Sequence, residues 1–466
     1  MFTKEDYIAR RKALREKMSG GLVLLLGNHE SSMSYKDNTY RFRQDSNFSY
    51  FFGINLPKFA GIIDVDSKED FVFGTDFDMD DVIWMGPQPS VKELAEKVGI
   101  TNTLPCSEIF EKVKDAVAKG RKVHFLPAYR EVRSIQLFKL LGIEITETNN
   151  QASLELIKAV ISLREIKDTK EIAHLDAIQD MAYEMHTTAM KMAQNGVYER
   201  EIAGRIEGIA LSHGGTISFP IILSKRGETL HNHAHNNLLN TGDLMLTDGG
   251  YESDLNYTTD HTRVSPVGGK FSQKQKEIYQ IVLDAHDRAY EATKPGVLYY
   301  DVHRIAALTI AKGLTRLGLM KGDPEKALEA GAHALFFPHG LGHMMGMDVH
   351  DMEDLGQIHV GYDETIQPSK QFGTAYLRLA KKLRPGFVIT NEPGIYFIPA
   401  LIDQWKSEKL HSEFIDYDKV DTYRDFGGIR LEDDILVTES GSRYLGTKRI
   451  PIEIVEVEAM VQAGIK

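Results

Sequence analysis

Two aspartates in residues 244–263, LMLTDGGYESDLNYTTDHTR, are spaced for metal chemistry. Leu244, Leu246 and Asp248 alternate with Met245 and Thr247, so they share one face of a short strand. Gly249 and Gly250 permit a sharp turn, and the chain returns through Asn256, Tyr257, Thr258 and Thr259 to Asp260. A hairpin-like unit of this kind points Asp248 and Asp260 into one space. Two unpaired carboxylates there would each drive the other's pKa upward. A divalent cation removes the conflict, and hard oxygen donors suit magnesium, manganese, cobalt or zinc. Asp254, inside the loop, reads as an ordinary turn residue.

Three histidines follow in residues 337–351, FPHGLGHMMGMDVHD. His339 and His343 have helical spacing, but Gly340 and Gly342 argue against a regular helix. No glutamate follows His339, so this is not the HExxH zinc-protease pattern. Two further carboxylates sit in strand-like settings: Glu392 in VITNEPGIY, just before a Pro-Gly turn, and Glu432 in GIRLEDDILV. Ile429, Leu431 and Asp433 take the face opposite Glu432. A charged residue within an apolar strand is rarely fully buried unless it is paired or bound to metal. Asp433 and Asp434 are expected to be solvated or to lie in a turn. Asp248, Asp260, His343, Glu392 and Glu432 thus form a set of four carboxylates and one imidazole. Two divalent cations would balance the four negative charges, and a bound hydroxide would complete the coordination. That is the composition of a two-metal hydrolase.

These residues need a frame. At 466 residues the chain predicts two domains. Residues 1–155 alternate β-rich runs (21–27, 61–65, 71–74, 122–126) with helical spacing at 4–18, 91–98 and 108–118, which predicts an α/β domain. Gly20, Gly21 and Gly27 fit neither a dinucleotide nor a P-loop spacing. The aromatic residues crowded into 40–57 are expected to pack in a core, and Trp84 reads as packing rather than function unless it sits at a subunit contact. A polar stretch, 146–153, places the boundary near residue 155 and leaves 156–466 as the second domain. There, long helices are predicted at 167–194, 199–213, 272–294 and 300–317, with capping-box spacing at Ser272 and Gln275. An internal repeat runs through them. Gly196-Val197 followed by Glu201-Ile202 matches Gly296-Val297 followed by Asp301-Val302, 100 residues later. Two helix pairs so related predict two similar halves with a site between them.

Bulk properties narrow the class. A net charge of -12 and the lack of a concentrated Lys/Arg run argue against a nucleic-acid binder. Cys106 is the only cysteine, which excludes an internal disulfide and a thiolate cluster. The segment MFTKEDYIARRKALREKM reads as a charged helix rather than a signal peptide, and no apolar run approaches the ~18 residues of a membrane span. The expectation is a cytoplasmic protein.

The ordered motifs Asp248, Asp260-His-Thr-Arg263, His339-Gly-Leu-Gly-His343, Asn391-Glu-Pro-Gly394 and Gly428-Ile-Arg-Leu-Glu432 resemble those of the pita-bread metallopeptidases, and most closely the aminopeptidase P (Xaa-Pro aminopeptidase) family. Residues 43–53, RQDSNFSYFFG, are similar to that family's non-catalytic N-terminal domain. The resemblance implies an α/β N-terminal domain followed by an α+β pita-bread (creatinase/aminopeptidase-like) catalytic domain with two pseudo-symmetric halves. It implies that Asp248 binds one metal, that Asp260 and Glu432 bridge both, and that His343 and Glu392 complete the other. A hydroxide would lie between the metals, with Glu392 as general base. His231, His339 and His350 match substrate-side histidines, and Arg430 matches an arginine that contacts substrate or orients a ligand. Manganese is the first expectation for the metal, with cobalt or zinc as alternatives.

The implied substrates are peptides with proline second, and the implied assembly is a dimer or tetramer. Prolidase, which resembles the same family but cleaves only Xaa-Pro dipeptides, is the alternative; a non-catalytic peptide-binding relative would be expected to lose ligands, and all five are kept. His233 and His235 fall outside the resemblance and read as structural. Val264 departs from the family's Asp-x-Thr-Arg-Thr motif. Expansions at 352–385 and 399–426 are candidates to reshape the mouth of the site.

Overall fold

The computed structural model describes residues 2–465. The chain forms two units: residues up to Glu165 with Met352–His359, and Ile166–Asp351 with the remainder from Val360. In the first, the elements run α1 (Lys4–Glu16), β1 (Leu22–Leu26), α2 (Ser46–Phe52), β2 (Ala60–Asp64), β3 (Asp70–Gly74), α3 (Met79–Met85), α4 (Val91–Lys97), β4 (Asn102–Pro105), α5 (Glu108–Ala118), β5 (Val123–His124), α6 (Glu131–Leu141) and α7 (Leu154–Arg164). The sheet order is β4-β3-β2-β1-β5, antiparallel in the middle and parallel at both outer pairs. Leu22, Leu24, Ile62 and Phe73 from the sheet meet Val113 of α5 and Leu137 of α6 in one core.

The aromatic stretch folds as α2. Asp45 caps it by accepting the Phe48 N–H at 2.8 Å, and Gly53 ends it in the left-handed region at φ 59°. Phe48, Phe51 and Phe52 are fully buried, as packing demanded. Trp84 is different. It lies on α3 with 84% of its surface exposed, beside exposed Met79, Ile83 and Met85. The expectation of packing is therefore corrected for this chain on its own. Nothing in the local pattern of α3 offers it an apolar face to enter, since none of the α3 residues is buried.

The second unit holds α8 (Thr169–Met192), α9 (Glu199–Ser212), β6 (Thr216–Ile217), β7 (Ile222–Ser224), β8 (Leu244–Asp248), β9 (Tyr251–Glu252), β10 (Thr262–Pro266), α10 (Gln273–Ala292), α11 (Tyr299–Arg316) and α12 (Pro324–Ala330). It continues after α13 (Gln357–Val360) with β11 (Val388–Asn391), β12 (Gly394–Tyr396), α14 (Pro399–Ser407), α15 (Tyr417–Asp421), β13 (Gly428–Arg430), β14 (Asp433–Val437), β15 (Ser442–Tyr444) and α16 (Ile454–Gln462). The four predicted long helices are α8 to α11, and the Ser272–Gln275 capping box at α10 is formed.

The repeat is visible in the backbone. Gly196 and Gly296 both adopt the left-handed region, at φ 84° and 86°. The Gly196 N–H bonds the Leu239 carbonyl at 2.9 Å, and the Gly296 N–H bonds that of Leu383 at 2.8 Å. In each copy the bond is returned, from Leu239 to Val197 and from Leu383 to Val297. In the first half α8 and α9 pack against β9, β6 and β7, and in the second α10 packs against β11 and β13. An isolated bridge between Thr262 and Glu432 joins the two halves. Among the described residues no helix is long and apolar enough to cross a membrane.

Candidate metal centre

Asp248 ends β8, opposite Thr262 of β10 on one side and Ile222 of β7 on the other. The turn after it is tight: a Cβ at Gly250 would lie 1.8 Å from the Thr259 carbonyl oxygen, so only glycine lets the hairpin close. Asp260 stands just ahead of the returning strand, and its N–H bonds Asp434 Oδ2 at 3.1 Å. In the other half, residues 337–351 run without a regular helix, as Gly340 and Gly342 predicted. The segment lies along β11 instead. The His343 N–H bonds Thr390 Oγ1 and its carbonyl accepts the Thr390 N–H, both at 3.0 Å. The Glu392 N–H bonds the Leu341 carbonyl at 2.8 Å, and that of Glu432 bonds Thr262 at 3.1 Å.

These backbones bring the five residues to one cavity of about 600 Å³, lined by Asp248, Asp260, His343, Glu392 and Glu432 together with His231, His339, His350 and Arg430. One ligand atom each from Asp260, His343 and Glu432 fall within 4.8 Å of one another. His343 Nε2 is 3.4 Å from Asp260 Oδ2 and 3.7 Å from Glu392 Oε1. Its Nδ1 lies 3.0 Å from the Met344 carbonyl, which obliges Nδ1 to carry the proton of the neutral ring and turns the Nε2 lone pair toward the carboxylates.

The electrostatics are those of an uncompensated acidic cluster. Burial, then repulsion from Asp248 and its neighbours, pushes the Asp260 carboxyl well above its usual range. Burial and the charges of Asp260, Glu392 and Asp248 do the same to Glu432, and burial raises Glu392 against the pull of His343 and Arg430. Asp248 Oδ1 and Asp260 Oδ1 are buried without a hydrogen-bond partner. Arg430 is the cation that touches this set. Its Nη2 bonds Asp248 Oδ2 at 2.5 Å, its Nη1 donates to Tyr396 at 3.0 Å and its Nε to Thr262 Oγ1 at 3.0 Å. The Thr262 hydroxyl in turn donates to Glu432 Oε2 at 2.7 Å. Even with Arg430 bonded to Asp248 and Arg378 in the lining, four carboxylates make a negative site of hard oxygens and one imidazole. The residues fit divalent cations.

The substrate-side candidates are also placed. His339 has Nδ1 2.8 Å from the Gly340 carbonyl and Nε2 2.8 Å from the Tyr396 hydroxyl, so both nitrogens are engaged. Burial, then Arg430, brings its ring pKa down to about 3. Burial and Arg430 also lower that of His231. The His350 ring stacks on His343 with centroids 3.9 Å apart. His233 and His235 set Nδ1 against the carbonyls of Ile221 and Leu223, at 3.4 and 2.9 Å. From the first expansion Tyr376 and Arg378 line the cavity. Among the described residues none of 399–426 does; there Trp405 packs on Phe372 and His411.

Two expectations need correction. Asp433 and Asp434 are not solvated but buried. Asp433 pairs with Arg263 at 2.5 Å and Arg449 at 3.0 Å, and lies 3.3 Å from His286 Nε2. Burial opposes its ionisation, yet Arg263 and the histidines hold it well below the usual range. Asp434 accepts from Gln179 at 3.0 Å, and burial pushes it up to about 6. The partners lie far away in the sequence, so a local reading had no means of finding them. Tyr396, Thr262 and Thr390 were missed as well. Their only signal was position, next to a ligand on a strand.

The comparisons agree with this geometry. Residues 173–439 match metallopeptidase family M24, and residues 7–124 match the aminopeptidase P N-terminal domain. A probable Xaa-Pro aminopeptidase of Uncinocarpus reesii is 32% identical, over 98% of this chain and 94% of its own length. A human protein described as Xaa-Pro dipeptidase is 31% identical, over 95% and 88%. The low-pH form of Escherichia coli aminopeptidase P superposes with a TM-score of 0.82 at 29% identity, over 100% of both chains. A zinc-substituted form of that enzyme in complex with product gives 0.81.

Proposed function

The chain belongs to metallopeptidase family M24, with an aminopeptidase P N-terminal domain, and from that premise we propose that it removes the N-terminal residue from peptides whose second residue is proline. The observation that carries the reading is the convergence of buried Asp248, Asp260 and Glu432, part-buried Glu392 and the His343 Nε2 on one cavity, with the carboxyls of Asp260, Glu432 and Glu392 pushed up. Residues 156–466 are the catalytic domain of this proposal and 1–155 the non-catalytic one. Asp248 would hold one cation, Asp260 and Glu432 both, and His343 and Glu392 the other, with manganese first among the candidates and cobalt or zinc behind it. Two such ions supply a Lewis acid for the scissile carbonyl and a water acidified to react near neutral pH.

The chain's own residues do the rest. The Glu392 carboxyl, raised by burial, accepts the proton of the attacking water and passes it to the departing proline nitrogen. His231 and His350 face the carbonyl oxygen as it gains charge. Burial keeps the His231 ring neutral, so it is a hydrogen-bond donor without a standing charge near the cations. His339, tied to Gly340 and Tyr396, fixes the wall beside them. Arg430 holds Asp248 and, through Thr262, the Glu432 carboxylate. A cytoplasmic location and a dimer or tetramer remain the expectations of this proposal.

One observation favours a second reading. Arg378, from the first expansion, brings a guanidinium to the cavity lining, where it could pair with the terminal carboxylate of an Xaa-Pro dipeptide. The deciding experiment is metal-stripped protein reloaded with manganese and given an Xaa-Pro-Xaa tripeptide and an Xaa-Pro dipeptide side by side. Faster cleavage of the tripeptide supports the aminopeptidase. Cleavage of the dipeptide alone, lost in Arg378→Ala, makes it a prolidase. Failure to cut either with manganese, cobalt or zinc overturns both.

A further inference from the structure

We propose that the buried Lys167–Asp351 ion pair is a clasp that holds His350 against His343, which makes Lys167 and Asp351 positioning residues of the hydrolysis. The proposal rests on the reading that His350 faces the scissile carbonyl.

Lys167 and Asp351 are separated by 184 residues, yet Nζ lies 2.8 Å from Oδ2. Both side chains are 1% exposed. Lys167 sits in the bend between α7 and α8, and its N–H is anchored on the Gly386 carbonyl at 2.9 Å. Asp351 is the residue after His350, and it closes a loop that begins at His343. Its N–H bonds the Met344 carbonyl at 2.9 Å, and its Oδ1 accepts the Asp348 N–H at 3.3 Å. The two histidines whose rings stack are therefore the two ends of one loop, drawn shut at Asp351.

The middle of the loop is held from the other half of the fold. The Gly346 carbonyl accepts the N–H and the hydroxyl of Thr258, at 2.9 and 3.0 Å. A Cβ on Gly346 would lie 2.6 Å from Asp351 Oδ2, the oxygen bonded to Lys167, and 2.8 Å from Lys167 Cε. Only glycine leaves room for the pair. Replacing a buried ion pair with apolar residues is often neutral or stabilising, so stability alone does not account for burying one here. Fixing an orientation does. A carboxylate bonded on both oxygens, with its backbone N–H also engaged, leaves the preceding side chain little freedom to turn. The ring of His350 is thereby kept on His343 and facing the cavity.

The test uses the manganese-loaded full chain. Asp351→Asn and Lys167→Met should each lower kcat about tenfold or more with little change in KM, the expected cost of a misplaced group. Combined with His350→Ala, Asp351→Asn should cause no further loss, because both changes act through one ring. The Lys167→Met/Asp351→Leu double variant guards against unfolding: it should melt near the parent temperature and remain as slow as Asp351→Asn. Full activity in Asp351→Asn, or losses that multiply with His350→Ala, would overturn the proposal. A second readout does not need turnover. In metal-free protein the His350 ring Hε1 signal, assigned by its loss in His350→Ala, should leave its ring-current-shifted position in Asp351→Asn, and an unmoved signal overturns the clasp. If the parent protein cuts no Xaa-Pro substrate, the proposed reaction fails, and this signal alone decides the clasp.

Discussion

Glu432 and Asp433 are chain neighbours and are buried to the same degree, yet they turn into two different environments. Glu432 enters the cavity, where it meets Asp260, Glu392 and Asp248 and is pushed toward the protonated form. Asp433 meets Arg263, Arg449, His261 and His286 and is held ionised. Burial and the carboxylate group are shared, so neither identifies the candidate ligand. What separates the two is compensation: a buried carboxylate surrounded by cations is part of the frame, and one surrounded by other carboxylates is left for an ion from solution.

That contrast can be broken most severely at Glu432. Glu432→Gln should cost more than the roughly 100-fold ceiling typical of residues that only orient a ligand, measured as kcat/KM on an Xaa-Pro peptide. The same variant should melt no lower than the parent when both are metal-free, because it removes one of several like charges. A fall of many degrees would place Glu432 with Asp433 in the frame. Arg263→Met should do the opposite. It strands a buried charge, and urea titration should show a loss of about 3–5 kcal/mol; a neutral result would mean that Arg449 and His286 suffice. Thr262→Val lies between the two environments, since its hydroxyl holds Glu432. Its manganese affinity should weaken by roughly 10- to 100-fold, with kcat restored at saturating metal.

The smallest effect is expected at a paired carboxylate in the N-terminal unit. Asp64 takes both Arg121 Nη groups, at 2.5 and 3.0 Å. Burial opposes its ionisation, but Arg121 and the Ser67 N–H outweigh it and leave the carboxyl below its usual range. Its folded pKa thus lies under the unfolded value of about 3.9. The stability it gives is present above that value and is lost as pH falls through the folded pKa. Asp64→Asn should lower the melting temperature by roughly 2–4 °C at pH 7, and the difference from the parent should vanish toward pH 2. A difference that persists in acid would mean that the side chain acts through packing rather than charge.

The same contrast explains what could be read from the chain alone. Residues 244–263, the glycines of the repeat and the four long helices carry local signals, namely alternation, turn chemistry and 3.6-residue spacing, and the structure follows them. The five proposed ligands could be named because their flanking motifs resemble a family. The environment of Asp433 and Asp434 could not, because Arg263, Gln179 and Arg449 reach them from separate segments that no local window joins. Lys167 was invisible for the same reason. Trp84 was read as packing, yet its neighbours Ile83 and Met85 are exposed with it.

The bridge between Thr262 and Glu432 spans 170 residues of chain. The proposed ligand set exists only after this long closure. Non-local closures are the slow steps of folding. Two of the proposed ligand carboxylates lie on each side of this closure, Asp248 and Asp260 before it and Glu392 and Glu432 in the other half. A nascent chain offers no complete set of donors to whichever cation is most abundant or most adhesive. If these residues are the ligands, selection among metals would fall to the finished cavity, after synthesis, rather than to a race among ions for an unfolded polypeptide.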